Sequence, residues 1–130
     1  MRNIDLIIKT TQKEFGELPY NSKLMTEAKF NETEDGITII YNNEDASKVI
    51  LNIKDNEFSV VNEKLYNIKI VVGKKVYGFY NTPYGEMHME TYGYGIEKKQ
   101  ENNENIITIN YDVGFRNKNN INTIIELRYL

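Results

Sequence analysis

Apolar and polar residues alternate in short runs along almost the whole chain, and no run keeps a helical period. Ile4, Leu6 and Ile8 share one side of the first run, with Asp5 and Lys9 opposite. Leu24, Thr26, Ala28 and Phe30 do the same against Lys23, Glu27 and Lys29. A period of two puts successive side chains on opposite faces of an extended backbone, so each run reads as a strand with one apolar face. Ile37, Ile39 and Tyr41 make a third strand, and Val49, Leu51 and Ile53 a fourth. Residues 58–61, 66–72, 76–80 and 85 to about 96 follow. Ile107, Ile109, Tyr111 and Val113, then Thr123, Ile125, Leu127 and Tyr129, alternate through the last two.

Turn chemistry separates these runs. Asp35-Gly36 is a hairpin signal, because the turn needs positive φ that glycine adopts without steric cost. Asn42 to Ala46, Asp55-Asn56, Gln100 to Asn105 and Asn117 to Asn120 are polar and loop-like. The sum is nine or ten strands with short connections, no repeat and no linker, which predicts one domain over residues 1–130. Strands with one apolar face each must pair into two sheets or close on themselves, and closure removes exposed edges. The prediction is an all-β fold, an antiparallel meandering β-barrel of about eight to ten strands. A β-sandwich is the alternative architecture.

Composition narrows function mainly by exclusion. The net charge of −3 gives no general attraction for phosphate backbones or anionic membranes, so neither nucleic acid nor membrane is expected as a partner. The absence of cysteine removes disulfides, thiol nucleophiles and zinc–cysteine or iron–sulfur sites. The longest apolar run near the start, Leu6-Ile7-Ile8, is too short for a signal segment, and a cytoplasmic location is expected. No Gly-x-Ser-x-Gly elbow is present, and Gly73-Lys74-Lys75 lacks the spacing and second glycine of a P-loop. No cofactor is expected.

The densest stretch, Asn81 to Lys99, holds the only histidine. Strand period places Met87 and Met89 on the core face, and Glu86, His88 and Glu90 on the other, where the histidine is solvated. Thr82-Pro83-Tyr84-Gly85 reads as a corner, since proline presets φ for a turn and cannot donate to a ladder. In Tyr92-Gly93-Tyr94-Gly95, unbroken phase turns the glycines inward and the tyrosines outward. A bulge at Gly93 would reverse Tyr94. The acidic loop from Asn31 to Gly36 has Asn42 where a calcium loop needs a bidentate glutamate, so no metal is expected.

The Thr82-Pro83-Tyr84-Gly85 run with its alternating continuation to Thr91, followed by Ile107-Thr108-Ile109-Asn110-Tyr111-Asp112, resembles the YwiB-like bacterial family of unknown function. Thr26/Ala28/Phe30, Tyr41 with Glu44, Gly73, and Tyr80 before Thr82 carry the resemblance over nearly the whole chain. It implies a calycin-like, that is lipocalin-like, barrel, and it implies no activity. Where members of that family have an arginine-containing, glycine-ended segment after the fifth strand, this chain has Val61-Asn62-Glu63-Lys64.

Phe30, Tyr41, Leu51, Phe58, Tyr80, Met87, Met89 and Tyr111 share the core phase of their strands. A barrel of this size either fills with side chains or holds one small ligand. Methionines line adaptable pockets, and buried tyrosines need hydrogen-bond partners. Tyr41, Tyr80, Met87, Met89 and Tyr111 are therefore the expected contacts of a small, largely apolar molecule, with core packing as the competing role. A second reading is an interaction module or homodimer that uses Tyr92, Tyr94, Ile96 or an unclosed strand edge. A third is an enzyme with a carboxylate or tyrosine at the barrel mouth.

Overall fold

The computed structural model describes residues 1–14, 16–115 and 120–130. The first five strands are β1 (Arg2–Glu14), β2 (Tyr20–Thr33), β3 (Gly36–Asn42), β4 (Lys48–Ile53) and β5 (Glu57–Asn62). Then come β6 (Tyr66–Val71), β7 (Lys75–Thr82), β8 (Gly85–Glu101), β9 (Glu104–Phe115) and β10 (Ile121–Tyr129). Each pairs antiparallel with its sequence neighbour, and β10 pairs with β1, so among the described residues one sheet of ten strands closes into a barrel. Of the turn expected at Asn117 to Asn120, 117–119 lie outside the described residues.

Alternate turns of such a meander fall at opposite ends. One end, here the base, carries the turns β2–β3, β4–β5, β6–β7 and β8–β9, while the mouth carries β1–β2, β3–β4, β5–β6 and β7–β8. At the base, Gly36 takes φ +140° at the start of β3, and a β-carbon there would meet the Ile53 carbonyl. Asn102 and Asn103 both have positive φ, which lets a two-residue hairpin join β8 to β9. The connection is shorter than the Gln100–Asn105 loop read from polarity, because the sheet continues through exposed polar residues.

The lower half of the lumen is filled. Ile39, Ile53, Ile70, Ile109 and Leu127 have no exposed surface, and Phe58 is buried among them. Phe30 packs on Tyr129 with ring centroids 4.9 Å apart, and Arg2 covers the Phe30 ring from 4.7 Å. Phe30, Ile39, Ile53, Phe58, Ile109, Leu127 and Tyr129 are residues that the alternation put on the apolar face of their strands.

Two departures from regular alternation shape the wall. The β6–β7 ladder has only two pairs, Tyr66–Tyr80 and Asn67–Phe79. Past it the end of β6 folds against β8: Val72 bridges Gly93, Gly73 N–H donates to the Gly93 carbonyl at 2.9 Å, and Thr91 Oγ1 donates to the Lys69 carbonyl at 2.6 Å. The close approach needs a residue without a side chain at Gly93. The second departure is a bulge between Gly93 and Gly95. It accommodates Tyr94 as the extra residue, so Tyr94 stays outside beside Tyr92, with rings 5.2 Å apart. The reversal falls on Gly95, which opposes outward Asn110, and on Ile96, which turns inward opposite Ile109.

Candidate functional site

Directly opposed residues in neighbouring strands share a face, so register alone determines which side chains meet at a given height. At the mouth it builds one continuous inner rung: Tyr41 opposes Val49, Val49 opposes Asn62, and Asn62 opposes Tyr66. Tyr66 then opposes Tyr80, and Tyr80 opposes Met87. A second inner rung runs through Gly93, Tyr111, Thr123 and Gln12. Among the five predicted contacts, Tyr41, Tyr80 and Met87 thus lie on one rung. Met89 is one inward step below Met87, opposite Gly78 and Phe115, and Tyr111 lies on the facing rung.

Depth divides these five. Met89, Tyr41 and Tyr111 are buried, whereas Tyr80 is 37% and Met87 43% exposed. Tyr80 and Met87 keep the inward phase but sit at the rim, where the wall no longer covers them. His88 points outward as its phase requires, with Nε2 3.3 Å from Glu86 Oε1 and most of its surface in solvent.

Tyr66 joins the rungs. Its ring stacks on Tyr80 at 5.4 Å, and its phenol acts electrostatically on those of Tyr41 and Tyr111. Burial, followed by the neighbouring Tyr66, pushes the Tyr41 phenol up to about 12. Burial is also the main cause at Tyr111, likewise raised to about 12, with the Thr123 hydroxyl opposing the rise and Tyr66 adding to it. Burial raises Tyr66 as well, and Asn43 and Asn62 beside its hydroxyl partly offset that. All three phenols therefore remain neutral hydrogen-bond donors at physiological pH.

A polar bracket holds this group from the β3–β4 turn. Asp45 Oδ1 accepts from the Ser47 backbone N–H at 2.9 Å and from the Ser47 hydroxyl. Ser47 Oγ accepts from Asn62 Nδ2 at 2.8 Å, and Asn62 Oδ1 accepts from Lys64 N–H at 3.0 Å. The Ser47 bonds, the hydroxyl's first, hold the Asp45 carboxyl below the usual carboxylate range. Asn62 and Ser47 are buried with their polar groups satisfied. Thr123 is satisfied only in part: its Oγ1 is buried beside the Tyr111 phenol, close enough to oppose that phenol's rise, yet it reaches no full hydrogen-bond geometry among the described residues.

Ser47, Asn62, Tyr66 and Thr123 were missed as site residues by sequence reasoning. The signal available was a polar residue at an inward phase, as with Asn62 after Phe58 and Val60, and Thr123 before Ile125. Among the described residues no three His, Asp or Glu side chains are placed to hold a metal, and no helix is long and apolar enough to cross a membrane.

The barrel is shared with a solved structure, the crystal structure of the ywiB protein from Bacillus subtilis, at a TM-score of 0.80 and 17% sequence identity. The match covers 98% of this chain and 89% of that one, and at this identity it speaks to the fold alone. No curated protein matches the chain. Residues 6–127 match the domain of unknown function DUF1934, and the chain belongs to that family.

Proposed function

We propose that the barrel mouth binds a small molecule with an apolar body and a neutral oxygen acceptor. The observation that carries this reading is Thr123 Oγ1, buried next to Tyr111 within the group of protonated phenols and without a hydrogen bond of full geometry among the described residues. A buried hydroxyl left unsatisfied costs about 1–3 kcal/mol, which a ligand oxygen would offset. Met87, Met89 and Tyr80 supply adaptable apolar surface, deep at Met89 and open at the rim. Tyr41, Met89 and Tyr111 pack into the one core cluster while Tyr80 and Met87 stay exposed, so the molecule is held at the rim near solvent rather than enclosed. Neutral donors favour a carbonyl or hydroxyl over a carboxylate, which would pair better with a cation. The chain holds no cysteine and so needs no oxidising compartment to fold, and we place this activity in the cytoplasm.

The test is a thermal-shift titration with octanol, octanone and octane. A ligand that binds only the folded chain raises its melting temperature. The two oxygenated compounds should do so, octane should not, and Thr123→Val and Tyr111→Phe should abolish the difference. Equal shifts from all three compounds, or shifts unaffected by both variants, would refute the reading.

A further inference from the structure

The β2 strand is hydrogen-bonded on both sides for only part of its length. It pairs with β1 from Tyr20 to Phe30, but with β3 only from Lys29 to Thr33. Among the described residues, 20–28 therefore have no strand paired to their second side. A groove of about 680 Å³ opens there, between Thr26–Lys29 of β2 and Ile40–Asn42 of β3. A free edge of this length is a template for another strand.

The outer face beside that edge carries an unusual charge arrangement. Lys9 lies directly opposite Lys23, Ile7 opposite Met25, and Asp5 opposite Glu27. Like charges directly opposed are unfavourable, and here two such pairs flank an apolar centre in which Met25 is 68% exposed. Lys9 has Glu126 as its cross-strand neighbour on β10. Lys23 and Glu27 form no ion pair among the described residues.

We infer that the free half of β2 is a homodimer interface, in which the same strand of a second copy pairs antiparallel about a two-fold axis at Met25. In that register Met25 meets Met25 of the second copy, and Lys23 meets Glu27 of the second copy on either side. Each like-charge pair then gains opposite charges from the other molecule. A two-fold axis makes the contact isologous, so assembly stops at two copies rather than growing from edge to edge. The interface joins the β1–β2 ribbons of both copies into one sheet and covers the groove beside Tyr41.

Charge exchange provides the test. Lys23→Glu places a carboxylate against Glu27 of the second copy, and Glu27→Lys places two lysines together, while the double exchange restores complementarity. Within one chain each single exchange turns a like-charge pair with Lys9 or Asp5 into an opposite one, so neither threatens the fold. Light scattering across a concentration series should show the parent moving from monomer to dimer mass. Each single exchange should weaken the dimer by about tenfold or more in Kd, and the double exchange should recover it. A monomer mass at every concentration would overturn the inference, as would a dimer indifferent to the single exchanges.

Discussion

Gly93 and Gly95 flank the bulge with only Tyr94 between them, yet their replacement by alanine should have opposite consequences. A β-carbon on Gly93 would stand 2.8 Å from the Val71 carbonyl oxygen and 2.9 Å from Ile70 Cγ2. The first is backbone, held by the β6–β8 contact, so relief requires β6 to retreat from β8. Overpacking of this kind costs about 1–3 kcal/mol. Retreat also stretches the Gly73–Gly93 hydrogen bond and the bond from Thr91 to the Lys69 carbonyl, each worth about 1 kcal/mol. The total for Gly93→Ala is about 3–5 kcal/mol, a fall in Tm of roughly 9–18 °C for a chain of this length. At Gly95 nothing lies within 4 Å of the added carbon and φ is not positive. Gly95→Ala should therefore stabilise by about 0.4–1 kcal/mol, by restricting the unfolded chain. Urea unfolding followed by far-ultraviolet circular dichroism reads both, with the midpoint moving at constant slope. A Gly93→Ala protein as stable as the parent would refute the close approach of β6 to β8.

Other expectations follow from burial and bonding. Met89→Ala should cost about 2–5 kcal/mol, because only 4% of that residue is exposed, and Met87→Ala at the rim less than half as much, both by urea unfolding. His88→Ala should stay within about 0.5 kcal/mol of the parent, since its partner Glu86 is itself in solvent. Thr91→Val should cost about 1–3 kcal/mol by leaving the Lys69 carbonyl without its donor. Alkaline pH acts through Tyr41 and Tyr111, whose folded values of about 12 exceed the unfolded value of roughly 10. A neutral phenol favoured by folding destabilises the native state once it must ionise. The native state therefore keeps its full stability below about pH 10 and loses it as pH rises through about 12, by roughly 2–3 kcal/mol for Tyr111 and somewhat less for Tyr41. Tyrosinate absorbance should show these two phenols ionising together with unfolding rather than ahead of it.

Much of the fold was legible because a half-buried strand writes its orientation into alternate positions. Ile4-Leu6-Ile8 and Thr123-Ile125-Leu127-Tyr129 show this most plainly, and Asp35-Gly36 marked its hairpin through the same local chemistry. What escaped reading depends on contacts between strands. The Tyr41–Asn62–Tyr66–Tyr80 rung is a property of register across β3 to β7, which no single strand encodes. Ile106 illustrates a second limit: it faces outward next to buried Ile107, yet it too is buried. Its cross-strand neighbours are Lys99 and Arg128, long side chains that can cover apolar surface while keeping their charged ends in water. Arg128 is fixed there by Glu104 at 2.8 Å and Glu126 at 3.1 Å. The bulge was readable as a Gly-Tyr-Gly irregularity, but which residue changes face depends on the register of β8 with β9.

Native mass spectrometry of the chain purified from its source addresses the mouth most directly. The parent should carry a small molecule of discrete mass, released on unfolding and absent from Thr123→Val and Tyr111→Phe proteins prepared alongside it. A bare polypeptide mass for the parent, unchanged after incubation with octanol or octanone, would contradict the reading of the phenol group as a binding site.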